Sequence, residues 1–405
     1  MRWKIENGRH HAKNVDFLFI IMATFGLVGV ITHNALLFMM AGIFIGYFLL
    51  STLYEKKMAT SLRLDNPKVK IRLFPGEEAL LSFTFQNTSI FPLLNGELRF
   101  KHGPAIKPTE QQNDEKSYWN EMHIPTTIMG NRKISTKIPV IAKQRGTTGI
   151  YTISYTYPHL FLFDSIRLKF APTFQTEYIV LPRFLPVKGM DAIVNRVNGE
   201  QRMNGSPFED IQSPIGTRDY SFSDPFHRIN WKASVKTQQL QTNIYEKTAD
   251  LSFVFIVNLD TANNLDMEAF NRNLETLLSY TAYLCRFATE KGISYELFLN
   301  ARRPGKVPYF HMHEGLGKVH YLQALEMLAR IDRQAALLPF NQMLHRVGQQ
   351  LAKPTSIIFI GDIPSDLGPL TNKWKHKQQS LFHVKSFAEG AVIQPWGEGA
   401  KKIAK

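Results

Sequence analysis

The order of residue patterns along the chain predicts two N-terminal transmembrane helices, then a β-sandwich-like module, then a C-terminal α/β domain. Three observations carry this. Two uncharged apolar runs, residues 17–32 and 35–53, stand near the start of a 405-residue chain and are separated only by His33-Asn34. Between about Leu62 and Val187, short alternating runs are bounded by turn residues. From Leu251 onward, apolar strands alternate with amphipathic helical stretches.

At 1.5 Å per residue the two apolar runs reach about 24 and 28 Å, against a hydrocarbon core of about 30 Å. A tight transmembrane hairpin over residues 16–54 follows, with slight bilayer thinning making up the difference. Arg2, Lys4, Arg9 and Lys13 precede the hairpin and Lys56, Lys57 and Arg63 follow it, while the connecting turn has no basic lysine or arginine. The positive-inside rule then puts a basic N-terminus (residues 1–15) and everything after the hairpin in the cytoplasm of a two-pass cell-membrane protein. The lone cysteine, Cys285, sits in an apolar helical run and permits no internal disulfide, in keeping with that compartment. A net charge of +14 suits a chain lying against anionic lipid headgroups, where each well-placed Lys or Arg contributes roughly 1 kcal/mol. Nucleic acid is not an expected partner, because no zinc-ligand spacing, helix-turn-helix pattern or RNA-reading strand pair is present.

In residues 62–187, runs such as Val69-Lys-Ile-Arg-Leu, Ala79-Leu-Leu-Ser-Phe-Thr-Phe and Gly149-Ile-Tyr-Thr-Ile-Ser-Tyr alternate between Pro-Gly and Asn-rich turns, as in a small sandwich. Lys107 to Lys116 is expected to be an exposed loop. Residues 188–246 are expected to hold a polar linker, through Ser213, and then a motif segment. The α/β domain covers residues 247–390: Leu251-Ser-Phe-Val-Phe-Ile-Val-Asn-Leu reads as a strand covered on both faces. Helices are expected near residues 267–291, 317–331, 340–351 and 367–377, among strands at Ser294, Ser356 and Ser380 in a mostly parallel sheet. Residues 391–405 form a basic tail.

The segment from Arg218 to Glu246 crowds acids, bases and aromatics together. Asp224-Pro225 reads as a helix start, with Phe226, Ile229 and Ala233 on one face. After Thr237 the period changes to two, with Leu240, Thr242 and Ile244 alternating with Gln241, Asn243 and Tyr245. Arg218, Tyr220, Asp224, Arg228, Ile229, Trp231, Ser234 and Glu246 together resemble the signature of the family called domain of unknown function 58. Ser223 stands where that pattern has glycine, and Val235-Lys236 where it has Ala-Arg. Arg145-Gly146 matches a second family element, whereas Phe161-Leu-Phe-Asp164 matches a third less well. The resemblance implies a von Willebrand factor type A-like fold for the C-terminal domain. It also implies a MoxR-type AAA+ ATPase as partner.

In that fold a divalent ion is held by an Asp-x-Ser-x-Ser loop, because a hard cation takes carboxylate and hydroxyl oxygens. Here the loop reads Asp260-Thr261-Ala262-Asn263-Asn264 and lacks both serines; Asp362 is the other carboxylate at a strand end. The site is therefore weak, and no cofactor is expected. His311 and His313 share one strand face, yet no third ligand stands at a sensible sequence spacing, so a polar strand end is expected there. Asp219, Asp224 and His227 fit an ion-paired elbow better than an acid–base set, and no P-loop, dinucleotide fingerprint or Gly-x-Ser-x-Gly elbow occurs. The expectation is thus a non-enzymatic, membrane-anchored adaptor. Arg218, Asp219, Tyr220, Asp224, Arg228, Trp231 and Lys232 would form a buried joint between modules in preference to a contact surface. A metal-assisted hydrolase using Asp260 and Asp362, and a membrane-bound nucleic-acid binder, are the alternatives.

Overall fold

The computed structural model describes residues 3–6, 9–33, 35–109, 120–158, 165–203, 209–247, 251–260, 267–305, 307–351, 353, 355–364, 367–376, 379–387 and 390–396. The chain divides into two compact units, Met1–Leu181 and Pro182–Lys405. Phe161 to Asp164 and most of the expected loop at Lys107 to Lys116 lie outside the described residues. The first two positions of that loop instead belong to a strand.

In the first unit a short strand β1 (Trp3–Ile5) precedes helices α1 (Arg9–Thr32) and α2 (Ala35–Ser61). The helices form a hairpin in which Phe19 meets Phe48 and Phe25 meets Phe44, with ring centroids 5.0 and 5.9 Å apart. Gly29 lets them come close, since a Cβ there would touch Leu37 at 3.3 Å. α2 is long and apolar enough to cross a membrane; the apolar part of α1, Phe19–Thr32, is shorter. Ten further strands follow: β2 (Leu62–Leu64), β3 (Lys70–Leu73), β4 (Glu78–Asn87), β5 (Glu97–His102), β6 (Ile106–Pro108), β7 (Asn120–Pro125), β8 (Lys133–Ala142), β9 (Gly146–Pro158), β10 (Ser165–Phe170) and β11 (Glu177–Val180). They make one sheet in the order β2-β4-β8-β6 and another in the order β1-β10-β9-β11-β3, with β5 and β7 joined through β9. Alternation along β4 points Leu81, Phe83 and Phe85 into a shared core. There Phe83 meets Phe100 of β5 at 4.9 Å, and Phe85 meets Tyr155 of β9 at 6.0 Å.

Both ends of the helical hairpin are sewn into this unit. β1 pairs antiparallel with β10, and Trp3 is 4% exposed, packed on Phe85 and Phe170. β2 pairs antiparallel with β4 directly after α2. The last turns of α2 leave the apolar run and bury Tyr54, Met58 and Ala59 in the sheet core. Trp3–Ile5 is therefore a structural strand and not merely part of a basic extension.

The second unit begins at Pro182, so the module boundary falls a few residues before the expected position. β12 (Val187–Lys188) belongs to the second unit's sheet. The expected polar linker contains a helix, α3 (Met190–Met203), because Met190, Ile193 and Val197 share a helical face and are buried. β13 (Glu209–Asp219), α4 (Trp231–Thr237) and β14 (Gln241–Lys247) come next. After them stand β15 (Ser252–Val257), α5 (Met267–Glu290), β16 (Ser294–Arg302), β17 (Tyr309–Gly315), α6 (Gly317–Ala329) and α7 (Phe340–Gln350). β18 (Ser356–Ile360), α8 (Gly368–His376), β19 (Ser380–Phe387) and β20 (Gly390–Pro395) complete the unit, so part of the expected tail is a strand paired with β19.

The main sheet runs β12-β20-β19-β18-β15-β16-β17. Its centre, β16-β15-β18-β19, is parallel, while β17 runs antiparallel to β16, and β20 runs antiparallel to β19 and parallel to β12. β15 and β18 are buried at every position, as strands covered on both faces must be. One face packs on Phe340, Met343, Leu344 and Val347 of α7 and Trp374 of α8. On the other, the His320 ring of α6 lies tilted against Tyr295 at 4.7 Å, with its Nε2 3.0 Å from the Tyr295 carbonyl.

Candidate interaction site

The motif segment folds as a two-stranded antiparallel ribbon, β13 with β14, separate from the main sheet and capped by α4. The helix does not start at Asp224-Pro225 as the sequence suggests. Phe226–Arg228 forms one 3₁₀ turn, Ile229 is extended at φ −66°, ψ 123° and bridges to Thr242, and α4 begins only at Trp231. The N-cap is Asn230, whose Oδ1 accepts from the Ala233 amide at 2.9 Å, while its Nδ2 donates to Asn243 on β14 at 2.8 Å. Ser234 links the same parts: its hydroxyl donates to the Asn230 carbonyl and accepts from the Gln241 amide, both at 2.8 Å. Gln238, at φ 58°, ends the helix in the left-handed region.

The charged residues of the motif close on one another. Arg218 Nη2 donates to Asp224 Oδ1 at 2.7 Å, and Asp224 Oδ2 accepts from the Ser221 amide at 3.0 Å. Those two donors, the amide first, hold the Asp224 carboxyl below the usual carboxylate range. Asp219 Oδ1 accepts from Gln241 Nε2 at 2.6 Å. Tyr220 lies beside Phe226 with centroids 6.0 Å apart, and the Arg228 guanidinium sits 5.8 Å over the Tyr245 ring. Glu246 stands on β14 opposite Asp210, a register position only. The acids are thus engaged in shaping the elbow.

The large apolar side chains do the opposite. Phe222 is fully exposed at 103%, Trp231 is 65% exposed, and Phe226, Val235, Leu240 and Ile215 are exposed as well. Trp231 is therefore not a core ring of its own unit. Ser234 is the buried residue of α4, bonded to β14, while Trp231 and Val235, one turn apart, stay exposed. Lys232 lies next to them and is exposed too.

At the carboxyl ends of β15 and β18, where the strand order reverses, stand Asp260 and Asp362. The space between is organised by amides. Asn258 Nδ2 donates to the Asp362 carbonyl at 2.6 Å, Asn258 Oδ1 accepts from the Asp260 amide at 3.0 Å and from Asn300 Nδ2 at 2.8 Å, and Asn300 Oδ1 accepts from the Leu259 amide at 2.8 Å. Gly361, at φ 98°, is required, because any Cβ would collide with the Asn258 carbonyl. Beside it a cleft of about 330 Å³ is lined by Asp362, His383, Tyr280 and Ser386. His383 Nε2 lies 3.0 Å from the Gly361 carbonyl, and burial holds the ring below the ordinary histidine pKa, hence neutral. Residues 261–266 of the loop after Asp260 lie outside the described residues. The paired asparagines Asn258 and Asn300 are the part of this cleft that sequence reasoning missed.

No protein-family model matches the chain, and no curated protein matches it. Among solved structures there are partial likenesses. A family 123 glycoside hydrolase from Clostridium perfringens is 12% identical over 29% of this chain and 23% of that one, with a TM-score of 0.18. A non-cellulosomal cohesin from Archaeoglobus fulgidus is 8% identical over 33% of this chain and 97% of that one, with a TM-score of 0.19. A GH20 exo-β-N-acetylglucosaminidase from Vibrio harveyi is 9% identical over 80% of this chain and 75% of that one, with a TM-score of 0.21. The chain spans 23% of the length of the first of these relatives, and TM-scores this low assign neither family nor activity.

Proposed function

We propose that this chain is a membrane-anchored, non-enzymatic adaptor that offers the α4 elbow to a protein partner. One observation carries the reading: the ribbon commits Arg218, Asp219 and Asp224 to internal bonds and leaves Phe222, Phe226 and Trp231 facing solvent. Catalytic sites need acids and bases aimed at a substrate, whereas binding hot spots are enriched in exposed aromatics and arginine. Resemblance to the domain of unknown function 58 family makes a MoxR-type AAA+ ATPase the partner. The order β17-β16-β15-β18-β19-β20 supports a von Willebrand factor type A-like reading of the second unit.

Anchoring rests on α2, and crossing the bilayer twice is supported by β1 and β2, which join one folded unit from either side of the hairpin. A chain whose two ends are held in one soluble body crosses an even number of times. The basic flanks support a cytoplasmic position for that body. The test is a photoreactive amino acid at Phe222 in full-length protein in native membranes. Cross-linking to an AAA+ ATPase is expected, and it should fall at least about tenfold when Trp231→Ala removes a hot-spot ring. Cross-linking only to lipid, or an unchanged yield in the variant, contradicts the reading.

A further inference from the structure

The geometry points to a second, independent site: a late divalent transition-metal ion, zinc above all, held by Glu296, His311 and His313 at the edge of the main sheet. The third ligand that sequence spacing lacks comes from the neighbouring strand. β16 and β17 pair with Phe298 opposite His311 and Leu297 opposite Met312, and a register shift before the Tyr295–Gly315 pair leaves Glu296 beside residues 313 and 314. Alternation puts Glu296 on the face of Phe298 and His311, and Glu314 is engaged separately, accepting from Ser294 Oγ at 2.8 Å. One ligand atom from each lies within 4.8 Å of the others, and among the described residues no other such grouping occurs.

The set is built, not incidental to a solvated surface. The His311 side chain is 8% exposed, its ring stacked on Phe298 at 4.3 Å and 9°, so its nitrogen is fixed in place. The His313 ring stands 4.2 Å from it. His311 Nε2 and Glu296 Oε1 are 2.6 Å apart, the length of a charge-assisted bond whose proton a metal would displace. Bond lengths of about 2.0–2.2 Å put tetrahedral ligand atoms roughly 3.4 Å apart, so that pair opens slightly while His313 closes in. Two imidazoles and a carboxylate suit zinc, and three protein ligands leave a fourth position, on the exposed His313 side, open to water or a partner. The ion would clamp β17, which among the described residues pairs only with β16, onto the sheet.

The test is zinc titration of tag-free, full-length protein in detergent, followed by calorimetry and melting. Wild type should take up one zinc equivalent with a dissociation constant of about 1 μM or tighter and melt higher with zinc present. His313→Ala, at an exposed position, should keep its metal-free melting temperature, bind zinc at least about 30-fold more weakly and lose the zinc-induced rise. Glu296→Gln should also bind at least about 30-fold more weakly, and His123→Ala in the first unit should not change binding. A wild type without a tight equivalent, or a His313→Ala variant that binds as wild type does, would mean that His311 and Glu296 share only a proton and would overturn the site.

Discussion

Trp231 is 65% exposed on a short helix whose buried residue is Ser234. Removing its ring uncovers little apolar surface, so Trp231→Ala should change unfolding free energy by no more than about 0.5 kcal/mol, measured by chemical denaturation. A loss of 3 kcal/mol would return the residue to a buried role. His102 presents the contrary case: it is 1% exposed, its Nδ1 lies 2.9 Å from the Gly103 carbonyl, and burial lowers its pKa. The folded ring resists protonation while the unfolded ring does not. As pH falls below about 6.5 the unfolded chain takes up a proton first, and stability declines until the folded pKa is passed. The melting temperature should therefore fall between pH 7 and pH 5, and less steeply in His102→Asn, which keeps a donor for Gly103 without the titration. Equal slopes would rule out His102 as the cause.

At the scale of elements, β1 tests how the hairpin is tied down. Trp3 is buried against Phe85 and Phe170, so Trp3→Ala should cost about 3–5 kcal/mol, as for other large buried aromatics. The loss should appear in hydrogen exchange of β10 and β4. Protection equal to wild type would mean that β1 adds nothing. That strand was illegible in the sequence because Trp3-Lys-Ile is too short to show a period, and its partner lies far along the chain in β10. The alternation in β4 and the buried runs at β15 and β18 were legible, since a strand covered by a core must repeat its apolar residues. α3 was missed because Gly, Asn and Arg dilute its apolar face, although Met190, Ile193 and Val197 carry it. In the motif, composition promised an ion-paired elbow and the Arg218–Asp224 pair forms, but the helix start was misplaced by the pull of Asp224-Pro225. The His311, His313 and Glu296 set shows the limit most plainly: strand pairing, not spacing, brings the third ligand in.

For the whole molecule, the account is of an apolar hairpin whose two ends return to one sheet-built body, with a second unit carrying the exposed elbow. Cys285 helps to test it, because the thiol is wholly buried in α5 and burial pushes its pKa up, leaving it inert to labelling in the native protein. Cysteines introduced singly at Glu6, His33 and Lys68 can then be probed in intact cells with a membrane-impermeant maleimide. The hairpin account predicts that His33→Cys alone is labelled from outside, and that Glu6→Cys and Lys68→Cys react only after the membrane is opened. Labelling of Glu6→Cys and Lys68→Cys from opposite sides of the membrane would contradict it.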